Sequence, residues 1–127
     1  MSETLGVVAF ECNVAGEQWQ QIINARTPGQ AKVEYWRDVR DAWPDVPYTA
    51  IRCRKVGPAQ TSEDFARVAQ NRGLPQARCG MRVDAGGRLG TIVGHNSSAN
   101  FDVLFDDAKY PLSVHPHGLR LLEAPHA

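Results

Sequence analysis

The chain has 127 residues, 43% of them hydrophobic and 22% charged, and its 14 lysines and arginines balance 14 aspartates and glutamates. These proportions exclude an intrinsically disordered chain and leave no net field that would draw the protein to nucleic acid or an anionic membrane, so any such attraction must come from a local patch. The length suits one ordinary domain or two very small ones.

The opening stretch, MSETLGVVAFECNVAGEQW, has no basic leader, and its apolar run from Leu5 to Phe10 is far shorter than the ~20 residues of a membrane span. A cytoplasmic protein with no membrane partner is expected. Cys12, Cys53 and Cys79 lie far apart without a CxxC pair, which signals neither a disulfide framework nor a zinc cluster, so buried free thiols are expected.

Leu5 to Asn13 and Gln18 to Ala25 read as two strands joined by a turn at Val14-Ala15-Gly16-Glu17, although Ile22 breaks strict alternation in the second. Thr27 then offers a helix cap, Pro28 suits the first helical position, and Gln30 can complete a capping box. The helix should run to about Ala42. Ala31, Tyr35, Val39 and Ala42, with Trp36 and Trp43 beside them, recur at three- and four-residue spacing and form its core face. Trp43-Pro44-Asp45-Val46-Pro47 ends it, because a residue before proline is pushed away from helical geometry.

Tyr48 to Val56 follows as a strand in which Ile51 and Cys53 alternate with Arg52 and Arg54, completing a ββαβ domain over residues 1–60. A second helix, capped within Thr61-Ser62-Glu63-Asp64 and ended by Arg72-Gly73, is expected as a connector over 61–78. Residues 123–127 read as a tail.

Between Cys79 and Leu122, Arg82-Val83, Thr91-Ile92-Val93, Phe101 to Phe105 and Leu112-Ser113-Val114 are short β-forming runs bounded by turn residues. Gly90 and Gly94 are expected to be required by backbone geometry or close strand approach. The run Gly80-Met81-Arg82-Val83 followed by Gly86-Gly87-Arg88-Leu89-Gly90-Thr91-Ile92-Val93-Gly94 resembles the first hairpin of KOW and related SH3-like barrels, a group that includes transcription elongation factors and ribosomal proteins. The resemblance covers about a third of the chain. It implies an SH3-like β-barrel over 79–122 and an RNA- or DNA-binding module. From Gly94 to Asp106 the chain departs from the KOW pattern and, with His115-Pro116, is similar to small phage and prophage proteins. That likeness implies an accessory, anti-defence or virion role and carries over no catalytic residue.

Three constellations bear on function. His115 and His117, with His95 upstream, have metal-ligand chemistry, yet no cysteine or carboxylate completes a set, so ordinary loop histidines are expected and no metal or cofactor is assigned. Cys79 or Ser97 with His95 and Asp102 could compose a nucleophilic triad, but no strand-turn-helix elbow surrounds them and no catalytic residue is assigned. From Arg67 to His95, Arg67, Arg72, Arg78, Arg82 and Arg88 face Asp84 alone, a stretch that could make a phosphate-binding face extended by Arg52, Arg54 and Lys55. Such a contact would avoid the acidic pair Asp106-Asp107.

Trp19, Trp36 and Trp43 could stack bases, although helical spacing assigns the last two to a core. A second candidate surface consists of His95, Asn96, Asn100, Phe101, Tyr110, His115 and His117. The sequence thus points to an α+β chain: an N-terminal ββαβ layer, a connector helix and an SH3-like barrel. The function expected is a noncatalytic binding or adaptor protein of phage or prophage type, acting on protein or nucleic acid. The alternatives are a KOW-like RNA/DNA-binding module, an anti-defence or virion component that pairs through sheet edges as a homo-oligomer, and a small metal-dependent hydrolase.

Overall fold

The computed structural model describes residues 6–18 and 20–122, which form a mixed α+β chain of two compact units that divide after Pro58. Among the described residues no helix is long and apolar enough to cross a membrane.

In the first unit, strands β1 (Val8–Val14) and β2 (Gln20–Ala25) form an antiparallel hairpin, helix α1 (Pro28–Ala42) crosses over, and strand β3 (Ile51–Pro58) returns beside β1. The sheet order is β2-β1-β3 with both pairings antiparallel, so the two edge strands run parallel to each other. Gly16, at φ +89°, turns the hairpin as its composition required. At the start of α1 the Thr27 hydroxyl accepts from the Gln30 N–H at 3.1 Å, while Gln30 Oε1 accepts from the Arg26 N–H at 3.0 Å. Two otherwise orphaned donors are thereby satisfied.

Phe10, Cys12 and Val14 alternate inward from β1 and meet Ala31 and Tyr35 of α1, with Ala25, Val46 and Ile51 completing the core. Trp36 and Val39 pack against it while partly exposed. Ala42 and Trp43, expected on the core face, are exposed instead. Trp43 leaves helical geometry as the C-terminal cap, at φ −139°, so its spacing no longer sets the direction of its side chain.

The expected start of β3 is corrected too: Tyr48–Ala50 forms a one-turn 3-10 segment and pairing begins at Ile51. A larger correction concerns the thiols. Cys12 and Cys53 form a disulfide, not two free thiols. The 41-residue separation carried no sequence signal, but β1–β3 register places the two residues directly opposite each other.

The second unit contains helix α2 (Glu63–Asn71) and strands β4 (Arg82–Ala85), β5 (Arg88–His95), β6 (Phe101–Phe105), β7 (Leu112–Val114) and β8 (Arg120–Leu121). Its sheet runs β7-β6-β5-β4-β8, a meander whose last strand returns to pair with the first. Ser62 caps α2 by accepting from the Phe65 N–H at 3.0 Å, and Gly73, at φ +81°, ends it. Phe65 and Ala69 make α2 part of this unit's core, where the Phe65 ring stacks on Phe101 at 5.0 Å. The same core takes Val83, Ile92, Val103 and Phe105 from three adjoining strands.

Gly86 and Gly87 both have positive φ, as the two-residue turn between β4 and β5 demands. Gly90 serves close strand approach: a Cβ there would lie 2.8 Å from Val103 Cγ1 and 3.0 Å from the Leu104 carbonyl oxygen. Gly94 meets no such requirement, its nearest neighbour being Asp102 Oδ2 at 3.8 Å. The β5–β6 register shifts between Ile92 and Gly94, so the two glycines face β6 differently.

Candidate interaction surface

Antiparallel pairing decides what becomes of the arginines. Arg82 on β4 lies opposite Thr91, and the strand end at Phe105 lies opposite Gly90, so Asp106 falls next to the Arg82 guanidinium. Two parallel hydrogen bonds of 2.7 Å join them, and Thr91 Oγ1 accepts a third at 2.9 Å. Hydrogen bonding to Asp106 holds the Arg82 guanidinium more firmly protonated, against the opposing effect of burial. Arg88 reaches Asp107 at 3.0 Å and lies 4.2 Å over the Phe105 ring. Arg120 donates to Asp84 Oδ2 at 2.9 Å, and the Gly87 N–H donates to Asp84 Oδ1 at 2.7 Å. The Gly87 bond, then Arg120, pull the Asp84 carboxyl below the usual carboxylate range.

Acids therefore sit on Arg82 and Arg88, two of the arginines proposed for phosphate contact. Asp106 and Asp107 are their partners, not a separate acidic loop. Arg72 is engaged differently, donating to the Ala99 carbonyl at 3.0 Å, the Ser98 carbonyl at 3.2 Å and Asn100 Oδ1 at 3.4 Å. Arg78 is exposed. In the first unit Arg54 pairs with Glu11 at 2.8 Å, and Arg52 is exposed on the same edge strand.

The β5–β6 loop is built with more internal order than its Asn/Ser composition advertises. Asn96 Oδ1 accepts from the Ser98 N–H at 3.1 Å and the Asn100 N–H at 3.4 Å, while its Nδ2 donates to Asp102 Oδ1 at 2.9 Å and Ser113 Oγ at 3.0 Å. Asn100 Nδ2 also reaches Ser113 Oγ, at 3.4 Å. Ala99 takes φ +59°, the one positive φ of a non-glycine among the described residues. Asn96, Asp102 and Ser113 pin one side of the loop to β6 and β7, and Arg72 clamps the other from the end of α2. Arg72 and Ser113 were not legible as loop-holding residues, because only the folded chain brings three separate segments together.

Beside this loop, β7 is an edge strand bracketed by Pro111 and Pro116, and Leu112 and Tyr110 are 48% and 43% exposed. Phe101 leaves the expected surface set: it is fully buried against Phe65, since β6 alternation points it into the core. His95 is partly buried with its ring 6.1 Å from Phe65. His115 and His117 are exposed, with rings 5.0 Å apart, and His115 Nδ1 accepts from the His117 N–H at 3.1 Å. Among the described residues no group of three or more His, Cys, Asp and Glu side chains is arranged to hold a metal ion.

Trp19, named as a stacking residue, lies outside the described residues, as do Leu5 and the tail 123–127. Trp36 donates its indole N–H to the Val46 carbonyl at 3.0 Å and carries Arg40 over its ring at 4.5 Å. In comparison with known proteins, no family model, curated protein or solved structure matches this chain.

Proposed function

We propose that this chain is a noncatalytic binding module of phage or prophage type that works in the cytoplasm by protein contact, through the β5–β6 loop and the adjoining β7 edge. The observation that carries the reading is the ordered, uncharged β5–β6 loop, together with the pairing of Arg82 and Arg88 to acids at the other end of β5. Asp106 and Asp107 pair with Arg82 and Arg88, at the centre of the stretch that phosphate binding would use, whereas Asn96, Asn100 and Ser113 present fixed hydrogen-bonding groups next to exposed Tyr110 and Leu112. Aromatic and neutral polar groups with few uncompensated charges suit the centre of a protein interface. An SH3-like barrel closure of the second unit belongs to the same proposal, supported by the return of β8 to β4 after the one-turn 3-10 segment Pro116–Gly118.

Fluorescence anisotropy with labelled single- and double-stranded oligonucleotides at ~50 mM salt, where phosphate contacts are strongest, tests this reading. No association is expected. Tight binding that falls steeply with salt would replace it with the KOW-like nucleic-acid module. A protein partner retained by the wild type and lost by the Tyr110→Ala plus Leu112→Ala variant would support it.

A further inference from the structure

One covalent bond ties the edge strand of the first unit to its centre. Cys12 of β1 lies directly opposite Cys53 of β3, with Cα atoms 4.2 Å apart, the separation of a non-hydrogen-bonded antiparallel pair in which side chains approach most closely. The two ends are unequally accessible. Cys12 is fully buried, its Sγ 3.9 Å from the Ala31 carbonyl oxygen of α1, whereas Cys53 is only partly buried on the edge strand.

We propose that Cys12–Cys53 is a reversible thiol–disulfide exchange site, entered at Cys53 by a dithiol or by glutathione, and that its redox state sets how firmly β3 is held. An incoming thiolate attacks Cys53 Sγ and forms a mixed disulfide. The Cys12–Cys53 bond breaks, and its electron pair leaves on Cys12 sulfur, which takes up a proton. The Ala31 carbonyl is placed to accept from the resulting thiol, so no thiolate stays buried. A second thiol then attacks the mixed disulfide and releases Cys53 as a thiol, and the reductant departs as its own disulfide. Two electrons and two protons have moved to the cysteine pair. Oxidised glutathione drives the reverse exchange.

The mechanical consequence follows from topology. β3 pairs with β1 alone and is reached only through the α1 crossover, so without the disulfide a single ladder and its packing hold it. Closing a loop across a 41-residue separation shifts the opening equilibrium by several hundredfold on the order of magnitude of loop-closure entropy. In a cytoplasmic chain, the compartment of the proposed function, such a disulfide is expected to be transient and redox-sensing. The exchange chemistry itself is tested in vitro and does not depend on the binding reading.

The full-length Cys79→Ser chain is equilibrated with oxidised glutathione or with dithiothreitol, alkylated under denaturing conditions and weighed intact, while amide hydrogen exchange is followed on matched samples. Oxidised protein should accept no alkyl group and reduced protein two. Peptides spanning β3 should exchange about several hundredfold faster when reduced, with β5 and β6 unchanged. A Cys12→Ala plus Cys53→Ala variant should exchange like reduced protein under both conditions. Two alkyl groups under both conditions, or equal β3 exchange in samples whose oxidised and reduced states are verified by mass, would overturn the proposal.

Discussion

Two glycines four residues apart show how much a single position depends on its neighbours across the sheet. Gly90 has Val103 and the β6 backbone where a Cβ would go, so Gly90→Val must move backbone and should destabilise the second unit by about 1–3 kcal/mol or more. At Gly94 a Cβ would meet only the Asp102 side chain, at an ordinary contact distance of 3.8 Å, and Gly94→Val should stay within about 1 kcal/mol of the wild type. Paired thermal or urea unfolding curves check both. Asp84 makes a different prediction, about pH. Its carboxyl is pulled down by the Gly87 N–H and Arg120, so it contributes stability that is present above its unfolded pKa of about 3.9 and lost as pH falls through its lower folded value. Carboxyl chemical shifts should place its titration below that of a free aspartate, and Asp84→Asn should remove this part of the acid sensitivity while loosening the β4–β5 turn.

At the scale of elements, α2 changes status from a link to a structural member. Its apolar stripe is short, but Phe65 fills the space over Phe101 and Ala69 lets the helix approach the sheet. Phe65→Ala should therefore cost about 3–5 kcal/mol, the loss expected for a buried aromatic, where a solvent-exposed connector would lose almost nothing. Denaturant midpoints at unchanged m-value provide the measurement. The helix ends were legible because caps are local: Thr27 and Ser62 each accept from the N–H three residues on. Strands β4 to β7 were legible because β-forming runs lie between turn residues, whereas the two-residue β8 is too short to carry such a pattern. The 3-10 turn at Tyr48–Ala50 was not legible, since Tyr48 and Thr49 are β-forming residue types that run on into the strand.

For the whole molecule the decisive quantity is the placement of charge, not its amount. A neutral chain with an arginine-rich stretch could present a cationic face only if its acids lay elsewhere. Strand pairing instead brings Asp106 to Arg82, Asp107 to Arg88 and Asp84 to Arg120. The absence of salt-dependent oligonucleotide binding is the corresponding expectation. Because Tyr110 and Leu112 are well exposed, replacing both by alanine should leave stability within about 0.5 kcal/mol each, so a lost interaction would report on the surface and not on folding.

Local chemistry in the sequence determined the α+β class, the capped start of α1, the end of α2 at Gly73, and the four β-forming runs after Cys79, since each rests on residues within a few positions of one another. Tertiary structure alone decided what long-range register brings together: the Cys12–Cys53 bond, the acids beside Arg82, Arg88 and Arg120, and the Arg72 clamp on the β5–β6 loop. It also assigned Phe101 to the core and Trp43 to the surface. Those outcomes depend on which strand lies opposite which residue, and a one-residue shift in pairing would reverse the facing of every side chain in the strand.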